Sequence, residues 1–542
     1  MLGARGEHRE LAATAAEGQD GFHVPRIDAR LAARLSGMSR GCLRGRALPS
    51  DPSVSETLPS VCLRSRPLLL GLCLAIGACG DRQPAADEPQ SAAPTAAAPD
   101  LPRFDHVVLV TFDTLRADHL TSYGYPRDTT PFLARLAAQG VLFENALASV
   151  SHTAPSHATM FTGLPPRVHG VRQNGNKLAA EVPSLPGLFA QRGFASAAFL
   201  GAQFLSGITH GFEHVSQRAP TTSTLVDQAT EWVKGRGGQP FFLWLHVYDP
   251  HQWKRPRIPD WARESVIASR PGDGGAFLDE IASLHGFPAH EPEDYLAWSG
   301  NNGQGTRYAA LPREFVARFI DDYDGSIRFS DHEVERLYQA LEQPGAGRKG
   351  LWIFTCDHGE GLGSHGYEGH GGRIYNEQLR VGLVFHATDG SLPSRRVQEL
   401  AGHVDLLPTL SELFGLAWQP PNGEFFGRSL VPLLLGTAGL PERLFFAEQR
   451  RSDGEADEGD EMVAIQDRRH KLIRYPDGRE EFFALERDPL ELHDAGKSDA
   501  RRAELRAALE ERLRFFSALG AGELQAPAPE FLKELEDLGY AR

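Results

Sequence analysis

Four unbroken apolar runs constrain this chain most: HVVLVTF (106–112), PFFLWLHV (240–247), GLWIFTC (350–356) and VGLVFHA (381–387). A strand with one wet face alternates, so a run that is apolar at nearly every position needs cover on both faces. Helical patterns lie between the runs. TTPFLARLAAQG offers Thr129 or Thr130 as cap, Pro131 in the first turn and Gly140 as stop. STLVDQATEWVKGRG and DHEVERLYQALEQ read the same way. Alternation of this kind predicts an α/β fold, a large sheet flanked by helices on both sides. From about residue 440 the pattern changes. RRHKLIRYPDGREEFFALERDPLE alternates like two hairpin strands, and ARRAELRAALEERLRFFSALG carries Leu505, Leu509, Leu513 and Phe516 on one helical face. The expected organisation is a main domain over 102–440 and a smaller C-terminal α+β subdomain over 441–542. Residues 254–312, polar and glycine-rich, read as an irregular insertion.

The N-terminal hundred residues belong to neither part. LRSRPLLLGLCLAIGACGDRQ runs basic, then apolar, then Ile76-Gly77-Ala78-Cys79. That order describes a secretory signal too short to span a membrane as a mature helix. Its last four residues resemble a bacterial lipobox, in which the cysteine becomes the lipidated N-terminus. Residues 61–79 are therefore expected to be a lipoprotein signal, with membrane attachment through Cys79. Gly80 at the following position favours the outer membrane by the same resemblance. Residues 80–101, rich in proline and alanine, read as a tether. Residues 1–60 precede a complete signal and read as an extension beyond the true start, at Met38 or later. Five cysteines make no disulfide framework, and Cys356 reads as packing. The net charge of −15 excludes a nucleic-acid partner but not a small anionic substrate.

Polar residues collect just beyond the strand runs. The first delivers FDTLRAD with Asp113, the second HVYDPH with His246, Asp249 and His251, the third CDHGEGLGSHGYEGHGG with Asp357 and His358. Ligands of open α/β sheets bind outside the carboxyl ends of strands, and Asp with His suits a divalent cation. Arg116 and Asp118 line this place or cap a turn. Trp253 and Trp298 are candidates to flank a sugar or aryl group. Tyr323 and Asp324 read as packing. SHTAPSHATMFTGLPPRVHGV (151–171) adds a small hydroxyl, Thr153, close to a helix start, where free N–H groups and the helix dipole favour negative charge.

These motifs resemble the sulfatase family of the alkaline-phosphatase superfamily. The resemblance runs from about Asp105 to the end, through DHG, TAPSHATMFTGLPPRVHG, HVDLLPTLSELFG, FGRSLVPLLLG, FFALERDPLE and LEDLGY. It implies a large mixed sheet and hydrolysis of sulfate esters or related anionic esters, on a glycan or an aryl group. Aligned on Pro155 and Ser156, Thr153 takes the nucleophile position and His157 the position of an arginine. Asp113, Asp357 and His358 would hold the metal, and His251 and His370 would face the substrate anion. Sulfatases oxidise Cys or Ser at the nucleophile position to formylglycine. Threonine cannot become that aldehyde, because its β-carbon carries a methyl, so Thr153 would act as an alkoxide, as in threonine-nucleophile phosphodiesterases of the superfamily. Other departures are Thr114 beside Asp113 and His370 for a lysine. Asp249, His251, His365 and His370 are then candidates for a second divalent site. Asn174 is a candidate ligand of a phosphoryl oxygen. Calcium follows from the sulfatase resemblance, zinc or manganese from the histidine-rich variant. A phosphodiesterase, phosphomonoesterase or phosphonate hydrolase, and an inactive binding protein, remain as alternatives.

Overall fold

The computed structural model describes residues 101–519, apart from 217–218, 220, 270–296, 299–308, 311–312, 344–346, 367–368, 421–425, 451–460 and 497–498. The expected extension, lipoprotein signal and tether, the LEDLGY end and most of 270–312 lie outside the described residues.

The apolar runs form the middle of an eight-stranded sheet. In chain order its strands are β1 (His106–Phe112), β2 (Val141–Phe143), β3 (Ala195–Leu200), β4 (His214–Val215), β5 (Phe241–Val247), β6 (Gly350–Cys356), β7 (Leu383–Ala387) and β8 (Arg395–Val397). Across the sheet they run β8-β2-β7-β6-β1-β5-β3-β4. The five from β6 to β4 are parallel, and β7 lies antiparallel against both β6 and β2. The sheet is therefore mixed. Every residue of β1, β5 and β6 is buried, as unbroken apolar runs require. The fourth run splits: Arg380–Val381 pairs in a small separate sheet, and only Leu383–Ala387 joins the large one.

Register decides where the chemistry goes. Phe112 pairs with Val247 on one side and Cys356 on the other. The residues that follow, Asp113, Tyr248 and Asp357, leave the sheet at one edge. The Asp113 N–H donates to the Val247 carbonyl and the Asp357 N–H to the Phe112 carbonyl, at 2.9 and 3.1 Å. Two aspartates are thereby fixed side by side.

Six helices concern the argument: α1 (Pro131–Gln139), α2 (Thr153–Thr162), α3 (Thr222–Lys234), α4 (Arg313–Leu341), α5 (Leu406–Phe414) and α6 (Ala500–Leu519). Helix α1 starts at Pro131 with Thr130 at the cap position, as read, but the threonine side chain makes no cap bond. The Asp331 carboxylate, from α4, accepts from the N–H groups of Phe132 and Leu133. Gly140 follows the last residue of α1 in extended backbone and has no room for a side chain: a Cβ there would lie 2.3 Å from the Phe385 carbonyl oxygen. The segment read as irregular contains a helix of its own, Asp260–Ala268, packed on α4. Beyond residue 440, four antiparallel strands, β9 (Phe445–Arg450), β10 (Glu461–Gln466), β11 (His470–Arg474) and β12 (Glu480–Ala484), form a second sheet. Leu505 and Leu509 of α6 pack on Leu472 and Phe482.

Candidate active site

Helix α2 carries Thr153 as its first residue, and all ten of its residues are buried. His152 holds the cap position without a side-chain cap bond. The cap comes from elsewhere: Asn174 Oδ1 accepts from the Ala154 N–H at 2.8 Å. The Ser156 hydroxyl ties the helix to the strand end by donating to the Asp357 carbonyl at 2.6 Å. Gly163, at φ +66°, closes the helix in the left-handed region that favours glycine. These contacts hold the Thr153 hydroxyl against the strand edge, with Oγ1 3.4 Å from His358 Nε2.

Asp113, Asp357 and His358, fully buried, present ligand atoms within 4.8 Å of one another. Each carboxylate is half tied and half bare. Asp357 Oδ1 accepts from the N–H groups of Thr114 (3.0 Å) and His358 (2.7 Å). Asp113 Oδ2 lies 3.2 Å from His246 Nε2. Asp113 Oδ1 and Asp357 Oδ2 have no hydrogen-bond partner among the described residues. Burial pushes Asp113 up to about 7. Burial and the neighbouring Asp113 charge push Asp357 up to about 8. Buried, bare, mutually repelling carboxylate oxygens beside an imidazole are what a divalent cation would relieve, so the three residues fit one. His358 is set for the task, because Nδ1 donates to the Gly359 carbonyl at 2.9 Å and leaves the Nε2 lone pair facing Asp357 and Thr153. Thr114 adopts φ +55°, left-handed for a β-branched residue. That costs on the order of 1–3 kcal/mol, and the same turn delivers its N–H to Asp357.

The remaining candidates divide. His251 and His370 line the same wall. His251 stacks on Tyr248 and meets His370 edge-on, with centroids 5.1 Å apart, and His370 lies 4.7 Å from His358. Burial holds both rings well below the usual histidine range. Asn174 stands beside Thr153, and its Nδ2 is buried without a partner among the described residues. His157 does not face a substrate: Nδ1 donates to the Thr153 carbonyl and Nε2 accepts from the Thr111 hydroxyl, each at 2.8 Å. It braces α2, and burial holds it near 3.

Asp249 and His365 depart from the expected second divalent site. Asp249 gives its carboxylate to the Thr222 hydroxyl at the start of α3, beside a cavity of about 220 Å³ lined by Thr221, Leu225 and Gln252. His365 spends Nδ1 on Glu377 and Nε2 on the Glu491 carbonyl, at 3.1 and 3.0 Å, with its ring stacked on Tyr375. Trp253 is buried and donates Nε1 to Glu360 at 3.2 Å, so it is no surface aromatic. The side chain of Trp298 lies outside the described residues.

Arg116 is structural and close by. It pairs with Asp118 and reaches the carbonyls of Glu360 and Gly361 and the Ser364 hydroxyl, holding the loop after His358 in place. The sequence reading left Glu360 and His246 without roles. Glu360 accepts from Trp253 and from the Gly361 N–H and sits 3.3 Å from His370 Nδ1. Its only signal was an acid two residues beyond His358. For His246 the signal was a titratable ring inside an apolar run.

A mixed α/β sheet with carboxylates and imidazoles at its carboxyl edge, facing a helix-terminal hydroxyl, is a hydrolase-type architecture. The family model described as Sulfatase matches residues 105–416. The chain belongs to the sulfatase family, a family of ester-bond hydrolases. It is 25% identical to the delta 4,5-hexuronate-2-O-sulfatase of Bacteroides thetaiotaomicron over 71% of this chain and 84% of that one. It is 26% identical to the multifunctional alkaline phosphatase superfamily protein PehA of Trinickia caryophylli, over 68% of this chain and 76% of that one. The phosphonate monoester hydrolase of Agrobacterium radiobacter shares the fold, with a TM-score of 0.58 at 22% identity over 77% of this chain and 93% of that one.

Proposed function

We propose that this chain hydrolyses small monoanionic esters with Thr153 as an unmodified nucleophile on a single cation site formed by Asp113, Asp357 and His358. The observation that carries the reading is the position of Thr153 Oγ1, at the N-terminus of α2 and 3.4 Å from His358 Nε2. When bound, the divalent cation supplies the charge that lowers the hydroxyl's pKa and offsets the anion of the substrate. Thr153 Oγ1 then passes its proton to water and bonds to the sulfur or phosphorus, the ester bond to the leaving oxygen breaks, and the alcohol departs with a proton returned from water. The covalent ester on Thr153 is cleared by water attacking the same sulfur or phosphorus, which restores the hydroxyl and releases the acid. His157 keeps Thr153 in place through its carbonyl. His251, His370 and the Asn174 amide are the groups left to meet the anion's oxygens.

Sulfate esters follow from the family, and a glycan or aryl leaving group from its relatives. A phosphodiester or phosphonate monoester is the second reading, favoured by the bare Nδ2 of Asn174 beside Thr153. A sulfate monoester and a phosphodiester each carry one negative charge. Lys254 lies over the Trp253 ring and its charge reaches His251, Glu360 and His370, so the anion meets a cationic side chain besides the bound metal. Imidazole beside carboxylate suits zinc or manganese, whereas calcium prefers oxygen ligands throughout. The chain is read as a lipoprotein of the cell envelope, attached through Cys79 and facing the periplasm or the exterior. The test is metal-defined protein assayed on matched aryl sulfate, aryl phosphate, diaryl phosphate and aryl phosphonate esters. Turnover of the monoanionic esters, lost in Thr153→Ala, is expected. Turnover of the phosphate monoester alone contradicts the reading.

A further inference from the structure

His246 takes no part in the reaction described above, yet it is fully buried at the centre of the site. It is the last residue but one of β5 and pairs with Thr111 of β1. That register brings its ring beside the end of β1, where Asp113 leaves the sheet. Its Nε2 lies 3.2 Å from Asp113 Oδ2. An ionised carboxylate oxygen only accepts, so Nε2 carries the proton and Nδ1 is bare. Nδ1 indeed has no partner among the described residues. A ring that leaves one nitrogen buried and unpaired bears a cost on the order of 1–3 kcal/mol, and the contact at the other nitrogen is what it secures.

The two aspartates show what that contact does. Asp357 is clamped by two backbone N–H groups on Oδ1, which leaves Oδ2 bare. On Asp113 the group that meets Oδ2 is a side chain, His246, and Oδ1 is left bare. Without the imidazole, Asp113 Oδ2 would lose this contact. We propose that His246 is the positioning residue that aims Asp113 Oδ1 at the cation, and so sets the affinity of the site without touching the ion. The proposal rests on the reading that Asp113, Asp357 and His358 hold the cation. A competing arrangement exists, because nitrogens of His157 and His246 and an oxygen of Asp357 lie within 4.8 Å of one another. It would make His246 a ligand. In this structure, however, both nitrogens of His157 are committed to Thr153 and Thr111, which leaves that group without its second imidazole.

The experiment is zinc titration of the metal-stripped full chain, with cobalt spectra of the same proteins. Gln places an amide N–H where the histidine Nε2 sits, Asn stops one bond short, and Leu offers none. His246→Leu and His246→Asn are expected to weaken zinc binding about 10- to 100-fold, and His246→Gln to stay within about threefold of wild type. The cobalt spectrum of His246→Gln should match wild type, since no coordinating nitrogen is lost. Should the Leu variant not fold, judged by circular dichroism, the Asn and Gln pair carries the comparison. Wild-type affinity in the Asn variant overturns the proposal. So does a Gln variant as weak as Asn with an altered cobalt spectrum, which would make His246 a ligand. Asp357→Asn is titrated alongside: if it keeps its zinc, the cation reading itself is wrong, whatever His246 does.

Discussion

Replacing Asp357 by Asn should strengthen the metal-free fold and abolish its response to metal. The change is nearly isosteric. The Asn oxygen can keep the two backbone N–H bonds that Asp357 Oδ1 accepts from Thr114 and His358, while the bare Oδ2 becomes an uncharged amide. In the wild-type protein without metal, burial and the Asp113 charge raise Asp357 from 3.8 to about 8. The folded state therefore binds more protons than the unfolded chain across that interval. Stability contributed by this group is complete below about pH 4 and is lost as pH rises through 8. At pH 7 the loss is on the order of 4 kcal/mol, taking 1.36 kcal/mol per unit. Asn removes that loss. Thermal unfolding in chelator should then show nearly equal midpoints at pH 4 and a variant several degrees more stable at pH 7. Added divalent metal should raise the wild-type midpoint and leave the variant unmoved. Equal midpoints at every pH, or a metal-induced rise in the variant as large as in wild type, would refute the reasoning.

Two further outcomes follow from particular contacts. Asn174→Leu removes the Ala154 cap and the bare amide together. It should cost about 1 kcal/mol of stability but about 10²- to 10³-fold in kcat/KM, read by comparing unfolding midpoints with steady-state kinetics. Gly140→Ala would drive a Cβ to 2.3 Å from the Phe385 carbonyl oxygen. Because that neighbour is backbone, the variant should be among the most destabilised single changes in the chain, by several kcal/mol, seen as loss of soluble protein or a sharply lowered midpoint.

The sheet was legible because its signal is local. Strands β1 and β6 begin and end where their apolar runs do, and the residues after them are those that converge. Their register, Phe112 against both Val247 and Cys356, follows once the strands are parallel and adjacent. Roles that depend on distant partners were not legible. Asp249 and His365 read as ligands of a second divalent site from the histidines that depart from the family pattern, but Thr222 claims one, and Glu377 with Glu491 claims the other. Thr130 holds the cap position of α1 as read, but the carboxylate that accepts from its first N–H groups is Asp331, some two hundred residues away. His157 read as standing in for the family's arginine, because an alignment fixes position, not direction. Its place on α2 points it at Thr111 and back onto its own helix. His246 was seen at the end of its apolar run but drew no role there, and Glu360, between two glycines, was passed over.

The most direct test is mass spectrometry of the Thr153 peptide, before reaction and after acid quenching during turnover of the best aryl ester. The account predicts an unmodified threonine at rest. During turnover it predicts a substrate-derived sulfate or phosphate mass on Thr153, absent from Thr153→Ala, whose activity should fall by at least about 10³-fold. Substantial activity in Thr153→Ala, or a trapped group on any other residue, would contradict it.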